Sequence, residues 1–148
     1  MNPNLDLWLG EVYLSIRMHA IRSKQALNWG SLDLPLFGIS SDWFKKGIDP
    51  PAAWSLALDH DRLWFVASHG RPAELHPEAR PGRFLAELWQ HDVAELFLAD
   101  PVSGRYLELN LAPNGAWWSG EFTGPRRHAA TENLALPDVL SHAELSPD

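Results

Sequence analysis

Between residues 88 and 120 the chain reads LWQHDVAELFLADPVSGRYLELNLAPNGAWWSG, and the side chains able to do chemistry gather there. Glu95, Tyr106, Glu108, Asn110 and Trp117 are set among apolar residues, Trp89 stands just ahead of them, and Glu121 follows. Rings beside carboxylates and amides suit a sugar. The C–H face of a sugar lies on an aromatic ring. Its vicinal hydroxyls take paired hydrogen bonds from carboxylate, amide and guanidinium groups.

Whether these residues meet depends on strand register. A β face repeats every two residues, so a slip of one exchanges the faces. Residues 92–99 and 105–112 predict a hairpin around Pro101-Val102-Ser103-Gly104, closed by Asp100 against Arg105, with Gly104 free for a left-handed conformation. Leu98 then faces Leu107, Leu96 faces Leu109 and Ala94 faces Leu111. The opposite face pairs Phe97 with Glu108 and Glu95 with Asn110. The next turn allows two registers. A two-residue Asn114-Gly115 loop sets Leu111 opposite Trp118, Leu107 opposite Phe122 and Glu108 opposite Glu121, with Trp117 and Ser119 on the polar side. A three-residue Pro113-Asn114-Gly115 loop swaps the tryptophans and puts Ser119 and Glu121 beside leucines. Turn chemistry favours the longer loop, and the apolar pattern favours the shorter. The shorter is taken as the expectation. It collects Glu95, Tyr106, Glu108, Asn110, Trp117 and Glu121 on one face.

These residues need a β scaffold. Twelve prolines and ten glycines punctuate short apolar runs, the pattern of an all-β sandwich or barrel. Alternation predicts a strand at 11–19. AAWSLALDHDRLWFVASHG predicts a hairpin with strands 53–58 and 62–68 around a DHDR turn. Residues 71–83, with three prolines, and 125–138 read as loops. AWWSGEF and VLSHAEL (139–145) complete the strands. Within 20–50, an irregular or inserted stretch, SDWFKKG predicts a helical turn opened by Ser41 or Asp42 and closed by Gly47. SLDLPLFGIS predicts a loop or edge strand because of Pro35. The expectation is a single domain over 1–148, an antiparallel β-sandwich. Ser146-Pro147-Asp148 reads as a turn toward a returning strand, so the chain is expected to be a fragment that lacks its last strands.

Composition narrows the partners. A chain of 148 residues makes one ordinary domain with a real core. The formal charge of −7 argues against nucleic acid. With no cysteine there is no disulfide, thiolate zinc site or cysteine nucleophile. The N-terminus reads as no signal peptide, which makes the cytoplasm the default expectation. No apolar run has the length of a membrane helix. Eight tryptophans are unusually many, and their flat faces serve packing or ligand stacking.

With those residues in hand, the stretch resembles the DOMON-like superfamily, in particular domains related to family 9 carbohydrate-binding modules. The resembling segments are LWQHDVAELFL, YLELNLAPNGAWW, and the phenylalanine and arginines of EFTGPRR, about a third of the chain. Tryptophan, aspartate and glutamate at this spacing, an aromatic-led strand and the Asn-x-x-Pro-x-Gly turn carry it together. The resemblance implies a jelly-roll-like β-sandwich that binds sugars or, in other branches, haem. In the sugar-binding branch two tryptophans sandwich a ring, and a glutamate after the first bonds its hydroxyls. Trp89 and Glu95 match that pair by spacing and strand position. Asn110 and Trp117 lie in the strands that complete such a site. The second sandwiching tryptophan of those modules comes late in the domain, beyond where this chain stops.

Other chemistries compete with simpler roles in this chain. Glu108 and Glu121 as a cross-strand pair could have glycosidase spacing, about 5 Å or 6.5–9.5 Å, but two solvated glutamates on a sheet face are the simpler reading, and no enzyme is expected. Haem would want an axial methionine; Met1 and Met18 are the two present, and Met18 reads as core, so haem is not expected. His69, His76 and His91 with Asp92 fit no zinc template and read as scattered surface histidines. Calcium at Asp59 and Asp61 competes with plain turn formation. Arg126 either forks onto sugar hydroxyls or, with Arg127, neutralises Glu121. The expected ligand set is Trp89, Glu95, Glu108, Asn110, Trp117 and Arg126, on a non-catalytic carbohydrate-binding domain without a cofactor. A structural accessory domain without a ligand is the alternative.

Overall fold

The computed structural model describes residues 20–42, 44–129 and 133–144. The strand expected at 11–19, and both methionines, lie outside the described residues. The chain divides into two compact units, one within Arg17–Pro72 and one carrying Ala73 onward. The fold is all-β, as expected. The described residues form eight strands in two four-stranded sheets, with two single-turn 3-10 segments.

The first unit holds β1 (Ala20–Arg22), β2 (Phe37–Ser41), β3 (Gly47–Leu58) and β4 (Leu63–Ser68). β3 is the central strand. β2 and β4 pair with it antiparallel on opposite edges, and β1 pairs parallel to its last residues, Leu56–Leu58. The expected 53–68 hairpin is present, running from Ala53 opposite Ser68 to Leu58 opposite Leu63. Ser55, Leu56 and Ala57 are 0%, 8% and 0% exposed, so β3 is covered on both faces near its C-terminal end. That double burial explains why SLA, residues 55–57, reads as a continuous small-and-apolar run rather than an alternation.

The SDWFKKG segment is not a helical turn. It is the connection between β2 and β3, and β2 is the edge strand foreseen before it. The Asp42 carboxylate accepts from the backbone N–H groups of Phe44 and Lys46, both at 2.9 Å, and Lys45 takes a left-handed φ of 62°. An aspartate that can satisfy nearby backbone donors favours such a turn over helix.

The second unit holds β5 (Ala94–Ala99), β6 (Tyr106–Leu111), β7 (Trp117–Gly124) and β8 (Arg127–His128), an antiparallel meander in that order. The first hairpin has the expected register at every pair from Ala94–Leu111 to Ala99–Tyr106. Its turn is held by Asp100, whose carboxylate accepts from Val102 N–H (2.9 Å) and Ser103 Oγ–H (2.6 Å), with Gly104 left-handed at φ 70°.

The second hairpin departs from expectation. Leu111 faces Trp117, Leu109 faces Ser119, Leu107 faces Glu121 and Asn110 faces Trp118. This is the three-residue loop, closed by Ala112 N–H to Ala116 O at 2.8 Å, with Gly115 left-handed at φ 85°. The Asn114 side chain fixes it from both ends: Oδ1 accepts from Ala116 N–H at 3.1 Å, and Nδ2 donates to Ala79 O at 3.2 Å. Turn chemistry outweighed the apolar pattern because both faces of this sheet are partly buried. Trp118 and Phe122, on the face expected to be polar, belong to a core with Ala79, Leu88, Ala112 and Ala116.

The outer edge of β7 is paired by separate segments. Residues 82–85 run parallel beside its start, donating Gly82 N–H to Gly115 O and Leu85 N–H to Trp117 O, and accepting Trp117 N–H at Arg83 O. Leu134 N–H donates to Ser119 O, Ala129 N–H to Glu121 O, and β8 pairs beyond. Residues 139–144 form no strand, contrary to expectation. Ser141 Oγ instead donates to Gly115 O at 2.5 Å, which ties this segment to the tight turn. No helix among the described residues is long and apolar enough to cross a membrane.

Candidate functional site

Strands β5 and β6 bring Glu95, Phe97, Tyr106, Glu108 and Asn110 onto one face, and β7 adds Trp118, Gly120 and Phe122. Three cross-strand rows result. Tyr106, Phe122 and His128 lie in one, with Tyr106 and Phe122 stacked at 4.7 Å and 3° and Phe122 at 4.4 Å from His128. Phe97, Glu108 and Gly120 lie in the next, and Glu95, Asn110 and Trp118 in the third. The Phe97 and Tyr106 rings are 6.0 Å apart, so an aromatic strip borders the carboxylates.

Gly120 has a steric reason. A Cβ there would sit 2.5 Å from Cη2 of Trp118 and 3.2 Å from Phe122. The indole lies across the glycine, and its Nε1–H donates to Asn133 Oδ1 at 2.6 Å. The face is therefore closed by packed rings over β7 and more open toward β5, with Glu108 half-buried on β6 and Glu95 exposed on β5.

The polar groups between are poorly satisfied. Asn110 is 1% exposed, and neither its Oδ1 nor its Nδ2 has a hydrogen-bond partner. A buried amide left without partners costs about 1–3 kcal/mol. Burial pushes the Glu95 carboxyl above its ordinary value of 4.5, even though part of the side chain reaches solvent. Glu108 is also raised, first by burial and then by the charge of Glu95. The Asn110 amide opposes that rise without reaching hydrogen-bond geometry. Burial raises Tyr106 too, against the Arg126 backbone N–H and with the charge of Glu108. Neither glutamate meets a cation among the described residues.

Of the six residues expected to bind ligand, the sheet thus assembles three, Glu95, Glu108 and Asn110. Trp89 is 63% exposed on the 3-10 turn Leu88–Gln90, immediately ahead of β5. Arg126 is an exposed residue of the β7–β8 turn at φ 58°, with its backbone at Tyr106. Trp117 does not join them. The longer loop sends it to the leucine face, where it is 9% exposed and edge-on to Phe84 at 5.1 Å. Trp118, assigned to packing by the sequence, shares the face of Glu95 but is itself packed. The supposed Glu108–Glu121 pair is also separated, because Glu108 lies opposite Gly120 and Glu121 points to the other face. Arg105, which the sequence did not single out, pairs with Glu121 through its Nε at 3.2 Å, a role expected of Arg126 or Arg127. The adjacent carboxylates are Glu95 and Glu108, diagonal neighbours across the strands.

Elsewhere the chemistry is structural. Asp59 Oδ1 accepts from the N–H groups of Asp61 and Arg62 at 3.0 and 2.8 Å. Its Oδ2 accepts from Leu27 N–H at 3.0 Å and Trp64 Nε1–H at 3.1 Å. With both oxygens so engaged, Asp59 acts as a turn anchor. His76 and His91 meet edge-on at 4.9 Å, but His76 Nδ1 accepts from Glu78 N–H at 3.1 Å. No group of three or more His, Asp or Glu residues among the described residues is placed to hold a metal ion. A shallow depression of about 460 Å³ lies toward the leucine face, lined in part by Leu98, Leu107, Leu134, Leu136, Arg105 and Glu121. Its charged pair is already mutually satisfied, so it offers less to a polar ligand than the Asn110 cluster.

No family model matches the chain. No solved structure matches it significantly. The chain is similar to the UPF0462 protein C4orf33 homolog of Rattus norvegicus, at 34% identity over 68 residues, 46% of this chain and 34% of that protein. It is similar also to the UPF0462 protein C4orf33 of Homo sapiens, at 32% identity over 68 residues, again 46% of this chain and 34% of the relative. The chain thus spans about a third of the length of the curated relatives it matches.

Proposed function

We propose that the β5–β6 face binds a small carbohydrate without catalysing its turnover. The single observation that carries this reading is the face itself, where exposed Glu95 and half-buried Glu108 stand beside Phe97 and Tyr106. A carboxylate accepts hydrogen bonds on two oxygens side by side, so the vicinal hydroxyls of a sugar complement it. Phe97 and Tyr106 supply apolar surface next to that group, and Trp89 offers an exposed ring for the C–H face of a sugar. Trp117 is dropped from the ligand set.

A glycan array probed with the intact chain, and with Glu95→Ala and Trp89→Ala variants, tests the reading. Both substitutions fall at exposed side chains, so folding should survive them. Retention of a defined sugar by the wild type and its loss in Glu95→Ala is the expected result. A well-folded chain that retains no glycan would sink it. That outcome would favour a structural accessory domain, a reading supported by the burial of Trp117.

A further inference from the structure

We propose that Asn114 is a modification site gated by its own turn: it converts to isoaspartate in chains whose β6–β7 turn has opened, and a converted chain cannot close that turn again.

Asn114-Gly115 is the single Asn-Gly pair of the sequence. A glycine has no side chain to obstruct its nitrogen, which can attack the preceding asparagine Cγ. The new N–Cγ bond closes a succinimide ring, and the amide nitrogen leaves as ammonia, taking the proton of the glycine N–H. Water then opens the ring at either carbonyl. One product is aspartate. The other is isoaspartate, in which the side-chain methylene has become part of the main chain.

The folded turn ties up the groups that this reaction consumes. The Gly115 N–H, which must be given up, donates to Ala112 O at 2.8 Å. The departing Nδ2 donates to Ala79 O at 3.2 Å, while Oδ1 accepts from Ala116 N–H at 3.1 Å. Ring closure and loss of ammonia therefore break the bonds to Ala112 O and Ala79 O outright. The pair is also sheltered. Gly115 is buried against His142 and Ala143, and its carbonyl accepts from Gly82 N–H at 3.1 Å and Ser141 Oγ–H at 2.5 Å. Conversion then proceeds at its intrinsic rate multiplied by the fraction of chains with the turn open. Isoaspartate adds one main-chain atom between positions 114 and 115. The three-residue loop closes with Ala112 N–H on Ala116 O at 2.8 Å and Gly115 at φ 85°. An extra backbone atom breaks that fit, and with it the register that sets Leu111 opposite Trp117. An opening that is ordinarily reversible becomes permanent.

The test incubates the full chain in mildly alkaline buffer alone, in partly denaturing guanidinium chloride and in fully denaturing guanidinium chloride. Conversion is read by mass spectrometry of the tryptic fragment 106–126. Asn110 in the same fragment is the internal reference, because the side chain of Leu111 obstructs the nitrogen that would attack it. In full denaturant Asn114 is expected to convert and Asn110 to stay. In buffer Asn114 is expected to convert roughly tenfold or more slowly than in denaturant. In the partly denatured sample a brief protease pulse separates opened from folded chains. Isoaspartate at position 114 is expected in the cleaved chains and absent from the survivors. Equal rates with and without denaturant would overturn the gating, and no conversion in either would overturn the site itself. Isoaspartate in the protease-resistant chains would show that the turn closes around it, which overturns the block.

Discussion

The two units each carry a carboxylate in partly apolar surroundings and treat it in opposite ways. Asp59, between β3 and β4, is 7% exposed and accepts four N–H donors. Those donors, first Leu27 N–H and then Asp61 N–H, hold its pKa well below the ordinary carboxylate range. Glu95, on β5, has no such donor, and Glu108, on β6, has only the Asn110 amide beside it; both are pushed upward. Solvation withdrawn from a carboxylate must be replaced by donors, or the charged form is disfavoured. Where the fold supplies the donors, as at Asp59, the residue holds the chain together. Where it withholds them, as at Glu95, burial alone decides and the charged form is disfavoured.

The contrast can be broken by substitution. Asp59→Ala should cause the largest loss of thermal stability, because four backbone and indole donors lose their acceptor together; a melting temperature close to wild type would mean that the turn holds without it. Its contribution is present above pH 3.8 and is lost as pH falls through the lower folded value, so acid unfolding of the wild type should narrow the gap between the two proteins. Gly120→Ala should destabilise by about 1–3 kcal/mol in chemical denaturation, because Trp118 must move off the new methyl group. No change would show that the indole has room to shift. Asn110→Leu should stabilise by about 1 kcal/mol, since it exchanges an unpartnered amide for an apolar group of similar size. A marked loss of stability there would reveal partners that the described residues do not include.

The smallest effect belongs to the Glu95→Gln, Glu108→Gln pair, a gain under about 1 kcal/mol at neutral pH. Carboxylates raised in the folded state contribute most stability below their ordinary value of 4.5 and lose it as pH rises through the folded values. The gain of the glutamine variant should therefore appear in melting curves as pH climbs above 4.5 and vanish in acid. A gain that does not vary with pH would show that neither carboxyl is raised in the folded protein.

The sequence carried the β class, the 53–68 hairpin and the β5–β6 register, because alternating leucines leave one consistent pairing there. It therefore placed Glu95, Glu108 and Asn110 together correctly. It misplaced Trp117, Ser119 and Glu121, all for one reason. The apolar pattern distinguishes core from solvent only when one face is covered, and here Trp118 and Trp117 are both buried, on opposite faces. The turn residues Pro113, Asn114 and Gly115 held the answer, through the left-handed glycine and the side-chain bonds of Asn114. The parallel pairing of residues 82–85 against β7 left no sign in a proline-rich stretch, because it rests on backbone groups alone. Arg105 was passed over because its partner, Glu121, had been assigned to the wrong face.

The outer edge of β7 has a further meaning. An unpaired strand edge is a template on which another chain can add a strand, the usual first step of aggregation. Here residues 82–85, Leu134, Ala129 and β8 occupy that edge in succession, each with backbone bonds of its own. β7 is the most continuously buried strand of its unit, from Trp117 to Gly120, and exposed it would be sticky. One segment well before it in sequence, residues 82–85, and others that directly follow it must dock to cover it. Until the last of them has docked, the nascent sheet remains open to self-association, and the risk is therefore set by the order in which the chain completes this edge.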